Sequence, residues 1–219
     1  MDLFASLPQP AAVATTVAPG AVWLRHWLSI ETQRGLVDRC RAIMDGPAGG
    51  YVPTVRGGGT MRVRMTCLGR HWNPRTYTYE AVRSDFDGAP VAPVPADWVA
   101  LAVRLAADAG FALQPDICLI NWYGAAGRMG VHQDKDESAA SLQEGRPVVS
   151  LSLGDSARFL FGGVRRRDPV ETLLLESGDA FVFGGAARLR YHGVSRIVPG
   201  SAPVSLGLDG RFNLTFRQY

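Results

Sequence analysis

The chain has 219 residues, of which 47% are hydrophobic and 20% are charged, and its formal charge is +3 with an isoelectric point near 9.0. This length and composition predict one globular domain over residues 1–219, large enough to bury its own core. They exclude a membrane-spanning helix, because no stretch approaches the roughly 18 uninterrupted apolar residues that such a helix needs.

The cysteines and the start of the chain bear on its compartment. Cys40, Cys67 and Cys118 have no paired spacing, so a disulfide framework is not expected and a reducing cytoplasm fits better. Pro8 and Pro10 come before any long apolar run and no basic segment precedes them, so we expect no signal peptide. The small positive charge permits a nucleic-acid partner without requiring one.

Two helices are predicted in the N-terminal half. Apolar residues recur at helical spacing over residues 29–44, and Ser29 is the candidate N-cap. A second helix begins near Asp97, after a proline-rich run, and is closed by Gly110. Residues 50–80 follow the first helix and mix glycines, arginines and aromatics, which predicts a hairpin-rich flap outside the core.

From residue 117 onward the pattern changes to short strand-like runs separated by glycine-rich turns. The predicted strands are 117–123, 148–153, 157–161, 170–175, 179–183 and 211–217. Many short strands with such turns indicate a mainly β (α+β) fold, a sandwich or a jelly roll, with its core in residues 115–219.

A candidate metal site lies within this β region. His132 and Asp134, with the distant His192, are the ligand set of a 2-His-1-carboxylate triad, which holds Fe(II) on one face and leaves the other open. Because side chains in a strand alternate, His132 and Asp134 are predicted to point the same way from one strand. A lone His-x-Asp pair is also common in exposed loops.

The predicted strand 211–217 has one apolar and one polar face, as does the predicted strand 117–123. Their polar faces carry Arg211, Asn213, Thr215 and Arg217, and Leu119, Asn121 and Tyr123, respectively. The two faces are predicted to line a polar pocket, where the planar fork of an arginine suits a carboxylate ligand such as 2-oxoglutarate. The alternative is an ordinary half-exposed strand with its arginines in water.

In their order and spacing these motifs resemble the AlkB family of Fe(II)/2-oxoglutarate-dependent nucleic-acid demethylases, and closely its bacterial members. The resemblance runs over nearly the whole chain, from the start Met-Asp-Leu-Phe at residues 1–4. Its most specific pieces are Cys-Leu-Ile-Asn at 118–121, His-Gln-Asp-Lys-Asp-Glu at 132–137, Phe-Gly-Gly at 161–163 and Arg-Phe-Asn-Leu-Thr-Phe-Arg at 211–217. It implies a double-stranded β-helix (jelly roll) buttressed by N-terminal helices, with residues 50–80 as a nucleotide-recognition flap.

The resemblance also implies a role for each candidate residue. His132, Asp134 and His192 would bind Fe(II). Arg211 would pair with the far carboxylate of 2-oxoglutarate and Arg217 would stabilise the end near the metal. The full 2-oxoglutarate pocket would consist of Leu119, Asn121, Tyr123, Ser150, Arg211, Asn213, Thr215 and Arg217.

The implied reaction is oxidative demethylation of 1-methyladenine and 3-methylcytosine in alkylated DNA and RNA, preferentially in single strands. It would consume O2 and 2-oxoglutarate and release formaldehyde, succinate and CO2. We expect a monomer without an obligate protein partner and without membrane contact. Two alternatives remain: an oxygenase that acts on another substrate, such as modified tRNA or a small molecule, and a non-enzymatic jelly roll that binds damaged nucleic acid.

The residues that would contact the substrate are Met61, Trp72, Tyr77, Tyr79, Asp136 and Arg166. Trp72 would stack the base against His132, Tyr77 with Tyr79 nearby would contact the backbone, and Asp136 would accept a hydrogen bond from the exocyclic amine. The alternatives are that Trp72 and the two tyrosines are core aromatics, that Asp136 and Glu137 form a solvated acidic run, and that residues 165–167 form a solvated turn.

The flap departs from the family pattern at one position. Gly59 stands where a tyrosine is expected from the bacterial relatives, and the segment between residues 65 and 72 is one residue short. Loss of an aromatic removes stacking area and a glycine adds flexibility, so substrate range is the property most affected.

Overall fold

The structure is a computed structural model that describes residues 13–47 and 49–219. Residues 1–4, to which the family resemblance extends, lie outside the described residues. The helices are α1 (Ile30–Asp45), α2 (Ala96–Asp108) and α3 (Ala139–Gln143). The strands are β1 (Val13–Ala18), β2 (Ala21–Arg25), β3 (Arg64–Leu68), β4 (His71–Asn73), β5 (Thr78–Glu80), β6 (Ile117–Tyr123), β7 (Met129–His132), β8 (Val148–Gly154), β9 (Ser156–Phe161), β10 (Glu171–Leu175), β11 (Ala180–Phe183), β12 (His192–Val198) and β13 (Arg211–Arg217).

The predicted helices are confirmed as α1 and α2, and both pack on one sheet. Ser29 caps α1, because its side chain accepts a hydrogen bond from the Thr32 backbone N–H. The apolar face of α1, represented by Leu36 and Cys40, lies in one core cluster with Leu105 of α2 and with the apolar sheet residues. Within the described residues, no helix combines the length and the apolar character needed to cross a bilayer.

Replacing Ser29 with alanine is expected to lower stability by about 1 kcal/mol, because the first turn of α1 loses its side-chain acceptor. For a domain of this size that corresponds to a fall of roughly 2–4 °C in the melting temperature. Thermal unfolding followed by circular dichroism measures it. Ser205→Ala, at an exposed serine, is the matched control, and an equal melting temperature for both variants would contradict the assigned cap.

The larger sheet has seven strands in the order β1-β2-β11-β8-β13-β6-β3. Its outer face is apolar, and Ile120, Leu214 and Phe216 pack there in the cluster that contains α1 and α2. Since side chains alternate along a strand, the polar residues of β6 and β13 all point to the inner face. The register aligns the residues of this inner face, with Asn121 opposite Asn213 and the apolar Leu119 opposite Thr215.

The smaller sheet has four strands in the order β10-β9-β12-β7 and faces the larger one. A second core cluster fills the space between them, with Phe159 and Phe161 of β9 against Phe181 and Phe183 of β11. The predicted mainly β jelly roll is confirmed by these two sheets. The aromatic core closes one part of the interior, so the polar wall of β6 and β13 is left to line the rest.

The predicted strand bounds agree with β6 and β13 and come within one residue for β8, β9, β10 and β11. Three strands had not been predicted, β1, β2 and β12, and the strand predicted to carry His132 and Asp134 is β7, which ends at His132. The strand β3 differs from the expectation of a flap outside the core, because it pairs with β6 and its residues Met65 and Cys67 are buried. Together with β2, it extends the larger sheet beyond residues 115–219.

Candidate active site

Two histidines meet where β7 and β12 pair. His132 is the register partner of His192, and their ring centroids are 4.6 Å apart. Asp134 lies between them, with Oδ1 3.5 Å from Nε2 of His132 and Oδ2 3.5 Å from Nε2 of His192. The three candidate ligand atoms all lie within 4.8 Å of one another, so one ion can contact all three.

The hydrogen bonds of the two rings leave the inward nitrogens free to bind a cation. Nδ1 of His132 lies 2.9 Å from the Gly130 carbonyl oxygen, and Nδ1 of His192 lies 3.0 Å from that of Arg190. A carbonyl only accepts, so each Nδ1 is the donor and each Nε2 of a neutral ring presents a lone pair. Two such nitrogens and the Asp134 carboxylate converge, and this donor set fits Fe(II).

The placement of Asp134 differs from the sequence prediction. The strand β7 ends at His132, and Asp134 lies in the irregular segment that follows. There the chain leaves the sheet, and Gln133 donates from Nε2 to the Leu189 carbonyl oxygen at 2.7 Å. The carboxylate therefore reaches the histidines from a loop, and side-chain contacts hold it there.

Those contacts form a buried network of alternating charge. Arg217 donates from Nη2 to Oδ2 of Asp134 at 2.6 Å and from Nη1 to the Tyr79 hydroxyl at 2.6 Å. Its Nε lies 3.1 Å from Oε1 of Glu137, and Nη2 of Arg188 lies 2.9 Å from Oε2 of Glu137. All five side chains are buried, so the two cations and the two carboxylates depend on each other for neutralisation.

This network sets the charge state of the site. Burial opposes ionisation of Asp134, but the pKa of its carboxyl is held well below the usual range, chiefly by the guanidinium of Arg217 that donates to it. Burial lowers the pKa of His192, which favours the neutral ring that metal binding needs, whereas at His132 burial is outweighed by the Asp134 carboxylate, which raises the pKa of that ring. Burial also raises the pKa of Tyr79 well above its usual value, so that its hydroxyl stays neutral.

A cavity of about 470 Å³ opens beside the triad. Its polar wall is a ladder in which Asn213 donates to the Ser150 hydroxyl at 2.8 Å and Thr215 donates to Oδ1 of Asn213 at 3.0 Å. The side-chain oxygen of Asn121 is buried there without a partner. Of the eight residues predicted to hold 2-oxoglutarate, the following line this cavity: Leu119, Asn121, Tyr123, Ser150, Asn213, Thr215 and Arg217.

Arg211, the eighth, is placed differently. It does not line the cavity, and its guanidinium donates to the Ser152 hydroxyl at 2.6 Å and to the carbonyl oxygens of Asp155 and Leu175. Its Nε is buried without a partner, and its register partner Tyr123 does line the cavity. An unpartnered buried donor fits an anionic ligand, so its pairing with the far carboxylate stays a prediction.

The predicted substrate residues line the same cavity from the flap side and from the opposite rim. Trp72 donates from Nε1 to Oδ2 of Asp136 at 2.8 Å and meets the ring of Tyr77 edge to face at 5.9 Å. Burial raises the pKa of Asp136, and the Trp72 hydrogen bond works against that rise. Opposite them, Arg166 donates to the Val131 carbonyl oxygen at 3.3 Å, and Met61 completes the flap side of the lining.

The two tyrosines of the flap occupy different positions. Tyr77 is 40% exposed and sits in a turn with a φ of 59°, whereas Tyr79 is buried in β5 with its hydroxyl on Arg217. Tyr79 therefore contacts the charge network while it also lines the cavity, and its predicted contact with the substrate stays a prediction. Gly59 lies in an exposed hairpin tip, where Val55 accepts from Gly58 and donates to Gly59.

Two buried residues that contact the Asp134 loop had no role assigned from the sequence. Glu137 belongs to the motif at residues 132–137, with a solvated acidic run as the alternative, and Arg188 carries no signal. Both are buried below the metal ligands as an ion pair. The only local hint is the position of Glu137 three residues after Asp134; Arg188 lies 51 residues further along the chain, where no periodicity connects it to the site.

The comparisons with known proteins agree with this geometry. A family profile described as the 2OG-Fe(II) oxygenase superfamily matches residues 20–217. The chain is 39% identical to the alpha-ketoglutarate-dependent dioxygenase AlkB of Salmonella typhimurium, over 100% of this chain and 97% of that protein. It is 44% identical to the DNA N(6)-methyladenine demethylase ALKBH1C of Arabidopsis thaliana, over 94% of this chain and 50% of that protein.

Among solved structures, that of OsALKBH1 superposes with a TM-score of 0.86 at 40% sequence identity, and the match covers 94% of this chain and 100% of that one. The chain spans about half the length of the first three Arabidopsis relatives that it matches.

Proposed function

This chain belongs to the AlkB family of the 2OG-Fe(II) oxygenase superfamily, and from that premise we propose that it is an Fe(II)/2-oxoglutarate-dependent dioxygenase that removes N-methyl groups from bases in single-stranded DNA and RNA. Its substrates in this proposal are 1-methyladenine and 3-methylcytosine. The observation that carries the proposal is the convergence of His132, Asp134 and His192 at one end of a cavity that the flap aromatics also line. The three buried free cysteines are compatible with action in a reducing cytoplasm.

Fe(II), 2-oxoglutarate and O2 together supply the oxidation, in which the methyl group leaves as formaldehyde and 2-oxoglutarate becomes succinate and CO2. The protein contributes the binding and the orientation. The two histidines and Asp134 would hold the iron from one side, and Arg217 would keep the carboxylate ionised and correctly turned.

The polar wall of the cavity would bind 2-oxoglutarate. Arg217 presents positive charge at the metal end, and the hydroxyl and amide groups of Ser150, Asn213 and Thr215 lie further along the same sheet face. The aromatic core borders the same cavity, and the lower local dielectric beside it would strengthen these polar contacts. Arg211 would contribute its unpartnered Nε at the far end.

The flap would bind the base. An enzyme that acts on a base must take it from the stack, and it holds the base by stacking and by hydrogen bonds to its edge. Trp72 supplies the aromatic face, and its bond to Asp136 joins that face to a carboxylate acceptor. A carboxylate favours a cationic ring with an exocyclic amine, which 1-methyladenine and 3-methylcytosine both have.

A second candidate substrate is N6-methyladenine, because two of the Arabidopsis relatives, 44% and 40% identical, are named as DNA N(6)-methyladenine demethylases. This base is neutral and carries its methyl group on the exocyclic nitrogen. It would thus present a different donor to Asp136 and require a different position of the ring over the iron.

The test is to incubate the protein with Fe(II), 2-oxoglutarate and single-stranded oligonucleotides that each carry one 3-methylcytosine, 1-methyladenine or N6-methyladenine, and to follow the loss of the methyl mass by mass spectrometry. We expect turnover of the two cationic bases that depends on 2-oxoglutarate. Turnover of N6-methyladenine alone would replace the first candidate by the second. Succinate release with none of the three bases demethylated would point to another substrate.

Replacing Trp72 with alanine is expected to raise the KM for the oligonucleotide while the KM for 2-oxoglutarate stays unchanged. The lost stacking is equivalent to about 1–3 kcal/mol per base, or a roughly 5- to 150-fold change in KM. Steady-state kinetics with each substrate varied in turn measure both constants. Trp122→Ala is unsuitable as a control because its ring packs on Phe212, and Trp72→Phe, which keeps a ring, is the better comparison.

A further inference from the structure

Arg188 is buried beneath the metal ligands and connects two segments that carry them. It follows the short 3₁₀ helix Gly185–Ala187 and lies four residues before His192. Its Nη1 donates to the backbone carbonyl oxygen of Asp134, and its Nη2 lies 2.9 Å from Oε2 of Glu137. The segment that leads to His192 is therefore hydrogen-bonded directly to the segment that carries Asp134.

The Asp134 segment, which accepts the hydrogen bond from Arg188, is not part of any regular secondary structure. Residues 133–136 belong to neither a strand nor a helix, so the Asp134 carbonyl has no sheet partner. A buried carbonyl needs a donor, and here the donor is a side chain. Arg188 thus fixes the peptide from which the Asp134 carboxylate projects, while Arg217 fixes the carboxylate itself.

Arg188 is itself held on a rigid support. Its backbone N–H donates to Gly185, and the N–H of Gly185 donates to Gly145 at 2.7 Å. The turn between β1 and β2 packs so closely there that a Cβ on Gly20 would lie 2.3 Å from the Gly184 carbonyl oxygen. The guanidinium therefore projects from a backbone that the larger sheet holds in place.

A purely stabilising role does not explain this ion pair. Burying two charges costs about as much as their attraction returns, and apolar residues of similar size commonly stabilise a fold equally well. Arg188 and Glu137 have only 3% and 1% of their side chains exposed, so the cost of burial applies in full. What distinguishes the pair is its position, because Glu137 also contacts Nε of Arg217, the residue that donates to the Asp134 carboxylate.

We infer that Arg188 and Glu137 are a positioning pair that orients Asp134 for the metal and holds the loop bearing Asp136 under the substrate. Neither residue touches the reacting atoms. The pair acts by joining the His192 segment, the Asp134 loop and β13 through one hydrogen bond to the Asp134 carbonyl oxygen and two ion pairs at Glu137. This inference rests on the proposed function, because it assigns the pair a role at the proposed iron site.

The first measurement is Co(II) affinity by calorimetry on the metal-free full chain, together with the melting temperature. Arg188→Met is expected to weaken Co(II) binding by about 10- to 100-fold, the usual effect of losing an outer-shell partner. It is also expected to lower the melting temperature, because Glu137 loses one of its two cations.

The double variant Arg188→Met with Glu137→Gln separates orientation from stability. With both charges removed, no carboxylate is left short of a partner, so the melting temperature should recover relative to Arg188→Met. The Co(II) affinity should stay low, because nothing then holds the Asp134 peptide. The matched control is Arg39→Met, which breaks an ion pair with Asp97 between α1 and α2 and should leave Co(II) affinity unchanged.

Each contrary outcome has one meaning. Recovery of both affinity and melting temperature in the double variant would make the pair structural only and overturn the inference, as would unchanged affinity in Arg188→Met. A wild-type protein that binds no Co(II) would overturn the proposed function and this inference together. Normal wild-type binding with demethylation absent would count against the proposed substrates alone.

Discussion

Replacing Asp134 with alanine is expected to abolish 2-oxoglutarate-dependent turnover. The substitution removes the one anionic ligand atom and leaves two neutral imidazoles, which bind a divalent cation far more weakly than the triad does. Loss of an outer-shell partner alone commonly costs about 10- to 100-fold in metal affinity or activity, so loss of the ligand itself should exceed that range. Succinate formation and demethylation, measured in the same reaction at fixed Fe(II), give the result.

The control for this prediction is Asp209→Ala, which removes an exposed carboxylate away from the cavity lining. It should turn over at the wild-type rate. Succinate formation by Asp134→Ala at the rate of Asp209→Ala would remove Asp134 from the metal site. Circular dichroism of both variants shows whether the fold is retained.

Replacing Arg217 with methionine is expected to have the largest effect on stability. Its guanidinium contacts Asp134, Glu137 and Tyr79, and all three are buried. Removing one partner of a buried charge network commonly costs about 3–5 kcal/mol, because the remaining carboxylates are left without full compensation. For a domain of this size that is a fall of roughly 6–20 °C in the melting temperature.

The same variant tests the metal site independently of turnover. A bound divalent cation would neutralise Asp134 in place of Arg217, so saturating Co(II) should raise the melting temperature of Arg217→Met more than that of the wild type. The control is Arg196→Met at an exposed arginine of β12, which should behave like the wild type. A fall in melting temperature no larger than that of the control would mean that the network contributes little.

The strands with a regular alternation were predictable from the sequence. In residues 211–217 and 117–123 the polar and apolar residues alternate, and a period of two is local information that specifies both a strand and its faces. The structure reproduces those two strands and pairs them. The strands β7 and β12 could not be predicted in the same way, because they contain Gly130 and Gly193 and their pairing is interrupted by a register shift.

Residues of the same type on one face of a predicted strand also occupy different environments, which the local sequence pattern does not specify. Tyr77 and Tyr79 are two positions apart and would share a face in a continuous strand, but β5 begins only at Thr78 and Tyr77 lies in the turn. Arg211 and Arg217 stand on the same face of β13. Only Arg217 meets carboxylates there, whereas Arg211 meets the Ser152 hydroxyl and backbone carbonyl oxygens.

The sequence by itself determined the jelly-roll class, the two main helices, the polar wall of the cavity and the identity of the three metal-ligand candidates. Short-range periodicity with capping and turn chemistry indicates the helices, the polar wall and a sandwich or jelly roll, and the His-x-Asp spacing indicates two of the ligands. The choice of a jelly roll and the role of the distant His192 are what the family resemblance implies. Only the tertiary structure decided how Asp134 is held. The Arg188–Glu137 pair, the Arg217–Tyr79 contact and the loop geometry join residues that lie 51 to 138 positions apart. Their contacts depend on which segments the two sheets bring together, and no local sequence pattern specifies a contact between residues so far apart in the chain.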